Sequence, residues 1–210
     1  MQLTGGAVLA IDWQNDFCHE QGSAAKADND VSLVQKLVPQ VQQFLAQARR
    51  YGVPIIHIQT EHSKWSDSPS WRHRFKSSNI DTTRHCRAGS WGAEFYQILP
   101  QPDEYIITKH RYSAFIDTEL DLILRSLGIT TIILTGVTSN VCIESTARDG
   151  FMKDYNVIVL EDCTAAYTMR ERESALFNIG KYFGTVTSSK KVVAEWRRQS
   201  KKHRGGSPLS

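Results

Sequence analysis

The feature that most constrains the fold is an alternation between short apolar runs rich in β-branched residues and longer amphipathic stretches. Short apolar runs bounded by turn residues predict buried strands, and apolar residues spaced three and four apart predict helices. The predicted strands are Ala7–Asp12, Ile55–Gln59, Glu104–Lys109, Thr130–Thr135, Val157–Leu160 and, at an edge, Thr185–Thr187. The predicted helical stretches are Asp30–Tyr51, Glu119–Leu127, Ser139–Asp154 and Glu171–Tyr182. Strands separated by helices predict an α/β fold, a three-layer α/β/α sandwich with a doubly wound, mainly parallel, Rossmann-like sheet.

Two segments depart from this rhythm. Pro39 lies inside the first helical stretch, which predicts either a kink or two separate helices. The polar segment Glu61–Trp91 is a long excursion between the second and third strands, and excursions of this length in a compact domain are usually functional.

Composition places the chain among ordinary globular proteins, with 40% hydrophobic and 22% charged residues. No apolar run is long enough for a membrane span, and we see no export signal at the amino terminus. The four cysteines (Cys18, Cys86, Cys142 and Cys163) include no C-x-x-C pair, so we expect reduced thiols and a cytoplasmic protein.

The positive charge is concentrated at the carboxyl terminus. From Lys190 onward there are seven basic residues against one acidic residue, and since the whole chain carries +3, the rest carries −3. We therefore expect a catalytic domain over residues 1–187 and a basic, partly flexible helix or tail over 188–210. Without basic residues interleaved with aromatics on one surface, no nucleic-acid partner is expected.

Three reactive side chains are predicted to meet at one edge of the sheet. Ligands of open parallel sheets bind at the carboxyl ends of the strands. Asp12 ends the first strand, Lys109 ends the third, and Cys142 lies just after the fourth, in the first turn of the next helix. A helix amino terminus lowers a thiol pKa, and Asp12 and Lys109 would supply a base and a cation for the thiolate. The alternative on position alone is that Cys142 is a small core residue.

Three segments in this order resemble the isochorismatase-like cysteine hydrolases: AVLAIDWQNDF (residues 7–17), ITKHRYSAF (107–115) and LTGVTSNVCIESTARDGF (134–151). The resemblance spans about residues 7–187 and implies that Asp12, Lys109 and Cys142 form the catalytic triad. It also implies a cis peptide bond between Val137 and Thr138, and an oxyanion hole formed by the backbone amides of Thr138 and Cys142.

Within that family, the segments beginning at Lys109, Glu161 and Ala175 look most like the ureidoacrylate and biuret amidohydrolase branch. This similarity implies a metal-independent amidohydrolase that cleaves a C–N bond of a small ureide, carbamoyl or amide substrate through a covalent intermediate, with no cofactor. We expect a homo-oligomer whose partner is this small molecule.

Other functions remain open at this point. Nicotinamidases of the family bind a metal through an Asp-x-His motif after the second strand, which is absent here, although Glu61, His62, His73 and His85 could be proposed as ligands. Isochorismatases proper do not use the cysteine as a nucleophile. The fold could also be kept as a non-catalytic oligomerisation module. A nucleotide site is disfavoured because no glycine-rich phosphate loop follows the first strand.

The substrate contacts are predicted from position. An aromatic wall with an arginine suits a small planar ureide or acid. The candidates are Trp71, Arg72 and Trp91 in the long excursion, Tyr112 after Lys109, and Asn15 and Phe17 after Asp12. For Trp71 and Trp91, a packing role or a subunit contact is an equal alternative.

Overall fold

A computed structural model describes residue 3, residues 5–73 and residues 85–205, with side chains up to residue 201. Its centre is one sheet of six parallel strands in the order β3-β2-β1-β4-β5-β6. The strands are β1 (Gly6–Ile11), β2 (Ile55–Thr60), β3 (Tyr105–Lys109), β4 (Thr131–Val137), β5 (Asn156–Ala165) and β6 (Thr185–Thr187). The reversal of strand order at β1 and β4 is that of a doubly wound sheet, so the predicted fold class is confirmed.

Helices cover both faces of the sheet. They are α1 (Asn15–Cys18), α2 (Ser23–Lys26), α3 (Ser32–Gln35), α4 (Val38–Arg50), α5 (Pro69–His73), α6 (Leu120–Ser126), α7 (Glu144–Met152), α8 (Met169–Asn178) and α9 (Ser189–Gly205). Shorter turns are 3₁₀-helical at Trp91–Ala93 and π-helical at Ser139–Ile143 and Ile179–Phe183. None of the helices in the described part of the chain is both long and apolar enough to cross a membrane.

Each face of the sheet has its own apolar core. Alternate residues of β1 point to opposite faces, so Val8 and Ala10 belong to one core and Leu9 and Ile11 to the other. The first core is closed by α4 and α9, and the second by α6 and α7. Every residue of β1 and β4 is buried, which explains why these strands read as continuous apolar runs.

Of the two possibilities at Pro39, the structure has two helices. Helix α3 ends at Gln35 and α4 begins at Val38, which places Pro39 in the first turn of α4. A proline is tolerated there because the first-turn N–H groups have no partner within the helix.

The fifth strand is longer than predicted. It extends to Ala165 instead of Leu160. Its pairing with β4 changes register after Leu134, and the polar residues Glu161 and Asp162 lie at this irregularity within the strand. Asp162 then accepts hydrogen bonds from the backbone N–H and the hydroxyl of Ser189, each at 2.8 Å, at the start of α9.

The basic segment expected over residues 188–210 contains helix α9. Helix α9 packs on the domain: Val192 and Trp196 are buried, and Trp196 stacks on Phe44 of α4 with ring centroids 5.4 Å apart. Although α9 is rich in basic residues, it has one apolar face, and that face makes the first half of the helix part of the core.

Candidate active site

The side chains at the carboxyl edge come from four neighbouring strands. Asp12 follows β1, Thr60 ends β2, Lys109 ends β3, and Cys142 lies five residues beyond the end of β4. Since the strands lie in the order β3-β2-β1-β4, residues far apart in sequence become neighbours in space.

Asp12 and Lys109 form a fully buried ion pair. The Lys109 Nζ atom lies 2.9 Å from Asp12 Oδ2, and the two side chains are 1% and 0% exposed. Lys109 also donates to the Thr60 hydroxyl at 2.7 Å and to the Arg111 carbonyl at 3.2 Å. The Thr60 hydroxyl in turn donates to Asp12 Oδ1 at 2.9 Å. Both charges are therefore surrounded by partners, which a buried ion pair requires.

Cys142 lies against this pair. Its Sγ atom is 3.4 Å from Lys109 Nζ, and the residue is 5% exposed. It belongs to the π-helical turn Ser139–Ile143 that leads from β4 into α7. The Val137–Thr138 peptide bond just before that turn is cis. The structure thus brings all three candidate triad residues into one contact network, as the sequence predicted.

The protonation state of the thiol differs from the sequence-based expectation. Burial and the Asp12 carboxylate raise the pKa of Cys142 far above its ordinary value, and this outweighs the opposing effect of the Lys109 ammonium. Burial also disfavours the charged form of Lys109, but Asp12 and Cys142 more than offset it and raise the pKa of the lysine. The resting site therefore holds a neutral thiol beside an aspartate–lysine ion pair, not a preformed thiolate.

Two polar residues in this network were missed by the sequence reasoning. Thr60 contacts both members of the ion pair, and Gln14 holds the backbone of Thr60. The Gln14 side chain accepts from the Thr60 N–H at 2.7 Å and donates to the Thr60 carbonyl at 2.8 Å. The available signal was position, because both residues follow an apolar strand run at the edge where Asp12 and Lys109 were placed.

The predicted aromatic wall is partly assembled. The rings of Trp71 and Tyr112 lie 4.9 Å apart, and Trp71 also contacts the ring of His62 at 5.2 Å. The guanidinium over Trp71 belongs to Arg111, at 5.1 Å from the ring centre, whereas Arg72 is exposed on α5. Arg111 is thus the arginine that contacts both groups, with its guanidinium over Trp71 and its carbonyl accepting from Lys109.

The remaining predicted contacts have structural partners. Asn15 donates to the Trp91 carbonyl at 2.8 Å, and the half-exposed Trp91 ring packs on His19 at 5.0 Å. The ring of Phe17 packs edge-on against His85 at 4.4 Å. Asn15 and Trp91 therefore connect the segment of residues 15–19 to the segment around Trp91, and the side chain of each residue contacts the other segment.

One group of possible metal ligands occurs among the described residues. The ligand atoms of Asp16, His85 and Cys86 lie within 4.8 Å of one another. Both carboxylate oxygens of Asp16 already accept backbone N–H groups, from Ser23 at 2.8 Å and from Cys86 at 2.7 Å. These bonds give the carboxylate a structural role in fastening the loop. Of the other candidate ligands, His62 lies 3.3 Å from Asp67, and His73 is exposed.

Comparison with known proteins gives consistent matches over most of the chain. A model of the isochorismatase domain matches residues 6–191. The ureidoacrylate amidohydrolase RutB of Enterobacter sp. strain 638 is 35% identical over 198 residues, covering 87% of this chain and 85% of that protein.

Solved structures show the same fold. A cysteine hydrolase from Pseudomonas syringae superimposes with a TM-score of 0.79 at 28% identity, covering 94% of this chain and 95% of that one. An N-carbamoylsarcosine amidase from Thermoplasma acidophilum gives 0.71 at 29% identity, covering 88% and 96%.

Proposed function

Because this chain belongs to the isochorismatase family, we propose that it is a metal-independent amidohydrolase that cleaves a C–N bond of a small ureide or carbamoyl compound with Cys142 as the nucleophile. The observation that carries this proposal is the contact network of Asp12, Lys109 and Cys142 at the carboxyl edge of the sheet. A carboxylate, an ammonium and a thiol in one buried network support the proposal, because a base and a cation beside a thiol can activate it as a nucleophile.

The first half of the proposed reaction forms a covalent intermediate. As the Cys142 sulfur attacks the substrate carbonyl carbon, its proton passes to Asp12, and Lys109 offsets the negative charge that develops on sulfur. The carbonyl oxygen becomes an oxyanion that the amides of Thr138 and Cys142 would hold, a contribution of about 3–4 kcal/mol per donor. The C–N bond then breaks, and Asp12 returns the proton to the leaving nitrogen.

The second half releases the acyl or carbamoyl group. Asp12 takes a proton from water, and the resulting hydroxide attacks the thioester-like carbonyl. The carbon–sulfur bond breaks, and the sulfur recovers the proton from Asp12. Since the resting thiol is neutral, Asp12 has to be unprotonated before each half of the cycle begins.

The relatives and the wall beside the site support the substrate class. RutB is named for an ureidoacrylate and the archaeal amidase for N-carbamoylsarcosine, and both names contain a carbamoyl group on nitrogen. The Trp71–Tyr112 pair with the Arg111 guanidinium suits a flat, small molecule that carries negative charge.

The decisive experiment measures ammonia release from ureidoacrylate, biuret, carbamoylated amino acids, nicotinamide and maleamate. We expect turnover of at least one carbamoyl compound by the wild-type protein, and a loss of about 10⁴-fold in Cys142→Ala. The matched control is Cys163→Ala, another buried cysteine, on β5 and outside the network. We also expect mass spectrometry to detect the acyl adduct on Cys142.

Three outcomes would overturn the proposal or its metal independence. If Cys142→Ala turns over substrate at the wild-type rate, this thiol is not the nucleophile. If the wild-type protein hydrolyses no compound of the panel, the amidohydrolase assignment is wrong. Loss of activity on chelation, with recovery on adding Zn²⁺, would favour a nicotinamidase-like metal enzyme instead.

A further inference from the structure

Strand order places one side chain between the two charged members of the triad. Strand β2 lies between β1 and β3, so the carboxyl ends of β1 and β3 are two strand spacings, roughly 10 Å, apart. Asp12 and Lys109 meet across this gap, directly over the end of β2. Thr60 is the residue at that end, and it pairs with Lys109 in the sheet register.

The Thr60 hydroxyl has a fixed direction in this gap. A hydroxyl carries one proton, and that of Thr60 donates to Asp12 Oδ1 at 2.9 Å while its oxygen accepts from Lys109 Nζ at 2.7 Å. This arrangement requires an accepting oxygen on the Asp12 side and a donor on the Lys109 side, and the Asp12–Lys109 ion pair supplies both. Thr60 is 4% exposed, so water does not readily take over either bond.

The backbone of Thr60 is also held from outside its own strand. The Gln14 amide pairs with both the N–H and the carbonyl of Thr60, and its Nε2 also donates to the Ala93 carbonyl at 2.7 Å. Gln14 is itself fully buried and follows Asp12 by two residues. The segment that carries Asp12 therefore also fixes the position of Thr60, whose hydroxyl contacts Asp12.

From this geometry we infer that Thr60 is a positioning residue of the reaction, which keeps Asp12 ready to accept the thiol proton and aims Lys109 at the Cys142 sulfur. The inference rests on the proposed cysteine mechanism. Lys109 Nζ has three protons and four neighbours: Asp12, Thr60, the Arg111 carbonyl and Cys142 Sγ. Without the Thr60 contact the ammonium is free to shift within this set.

The test compares Thr60→Val, which has the same shape without the hydroxyl, with Thr60→Ser, which retains it. For Thr60→Val we expect kcat to fall about tenfold to a hundredfold with little change in KM. Thr60→Ser should restore kcat.

A buried threonine outside the network serves as the structural control. Thr135 on β4 donates to the Cys163 carbonyl at 2.6 Å, so Thr135→Val also removes a buried hydroxyl bond from a central strand. We expect Thr135→Val to lose stability to a similar degree, measured by urea unfolding, without lowering kcat. An unchanged kcat in Thr60→Val, an equal fall of kcat in Thr135→Val, or no rescue by Thr60→Ser would overturn the inference.

A second readout separates this inference from the proposed function. The rate of Cys142 alkylation by iodoacetamide, followed by mass spectrometry from pH 5 to 9, requires no substrate. If Thr60 aims Lys109 at the Cys142 sulfur, Thr60→Val should be alkylated more slowly than the wild type across this range, because the thiolate loses part of its stabilisation by the ammonium, and Thr60→Ser should restore the rate. An unchanged alkylation rate contradicts the role of Thr60 even where hydrolysis is found, and a lowered rate that Thr60→Ser restores supports it even where the whole panel is inert.

Discussion

The pair formed by Lys109 and Asp12 illustrates what a buried charge needs. Desolvation of each ion costs several kcal/mol, and only close opposite charge and further hydrogen bonds compensate for it. Here the lysine has the carboxylate, the Thr60 hydroxyl and the Arg111 carbonyl around its ammonium. The ammonium of this pair also contacts the thiol of Cys142.

A raised thiol pKa has a measurable consequence in the resting protein. We expect alkylation of Cys142 at pH 7 to be slower than that of an ordinary exposed thiol, and to rise through pH 9 without reaching a plateau. The reason is that the thiolate fraction keeps increasing below the raised pKa. The measurement is the iodoacetamide rate against pH, with the Cys142→Ala protein as the blank.

The four thiols provide an internal comparison for this experiment. Cys142 is 5% exposed, whereas Cys18, Cys86 and Cys163 are completely buried, so Cys142 should be labelled first. A plateau below pH 7 would mean that the thiolate is preformed, and it would contradict the raised pKa of Cys142 in the resting site.

Reasoning from single residues in the sequence located the three reactive side chains that lie together at the carboxyl edge of the sheet. Asp12, Lys109 and Cys142 could be selected because each follows a strand run and each has chemistry to offer. Thr60 and Gln14 have no such signature, and Thr60 lay one residue beyond its predicted strand. The direction of the Cys142 pKa was also missed, because burial, its largest cause, is a property of the folded chain and cannot be read from the sequence.

At the scale of elements, the site depends on how closely β4 approaches β1. Gly136 pairs with Ile11 in the sheet register and has a φ of 139°, a conformation that residues with a Cβ rarely adopt. A Cβ at this position would lie well inside contact distance of the Ile11 carbonyl oxygen. The segments that carry Asp12 and Cys142 meet across this contact.

Gly136→Ala should therefore damage stability and activity together. We expect a loss of about 2–3 kcal/mol in the free energy of unfolding, since both the backbone strain and the overlap have to be relieved. Circular dichroism during urea unfolding measures the loss. Gly180→Ala is the control, because a Cβ there meets Val186 only at an ordinary 3.4 Å. Equal stability of the two variants would contradict the close-approach argument.

The elements also show which sequence signals were reliable. The edge strand Thr185–Thr187 was predicted with its observed bounds, and the buried strands β1 and β4 to within two residues, because their apolar runs are uninterrupted. The end of β5 was missed since Glu161 and Asp162 interrupt its apolar run at an irregularity that only pairing with β4 reveals. The excursion after β2 could be located but not described, and residues 74–84 of it lie outside the described part of the chain.

At the scale of the whole molecule, α9 closes one of the two cores. Trp196 is 4% exposed and packs between Phe44 and Tyr51, with ring centroids at 5.4 and 6.2 Å. The basic composition of this helix predicted exposure to solvent, yet its apolar face packs on the first core. Charge and burial coexist here on opposite sides of one helix.

We expect Trp196→Ala to cost about 3–5 kcal/mol in the free energy of unfolding, because it leaves a large cavity against α4. The measurement is the urea midpoint and slope. Trp65→Ala provides a matched control, since Trp65 is 86% exposed, and its removal should change the midpoint little. Similar midpoints for the two variants would show that α9 does not support the core.

The dispersal of the site over four strand ends also has a consequence for the timing of synthesis. Asp12 leaves the ribosome about 130 residues before Cys142, an interval on the order of ten seconds at ordinary elongation rates. During that interval the chain lacks Cys142, and β1 lacks its β4 neighbour. Under the proposed mechanism, a nascent chain therefore cannot hydrolyse a substrate until the second half of the sheet has been made.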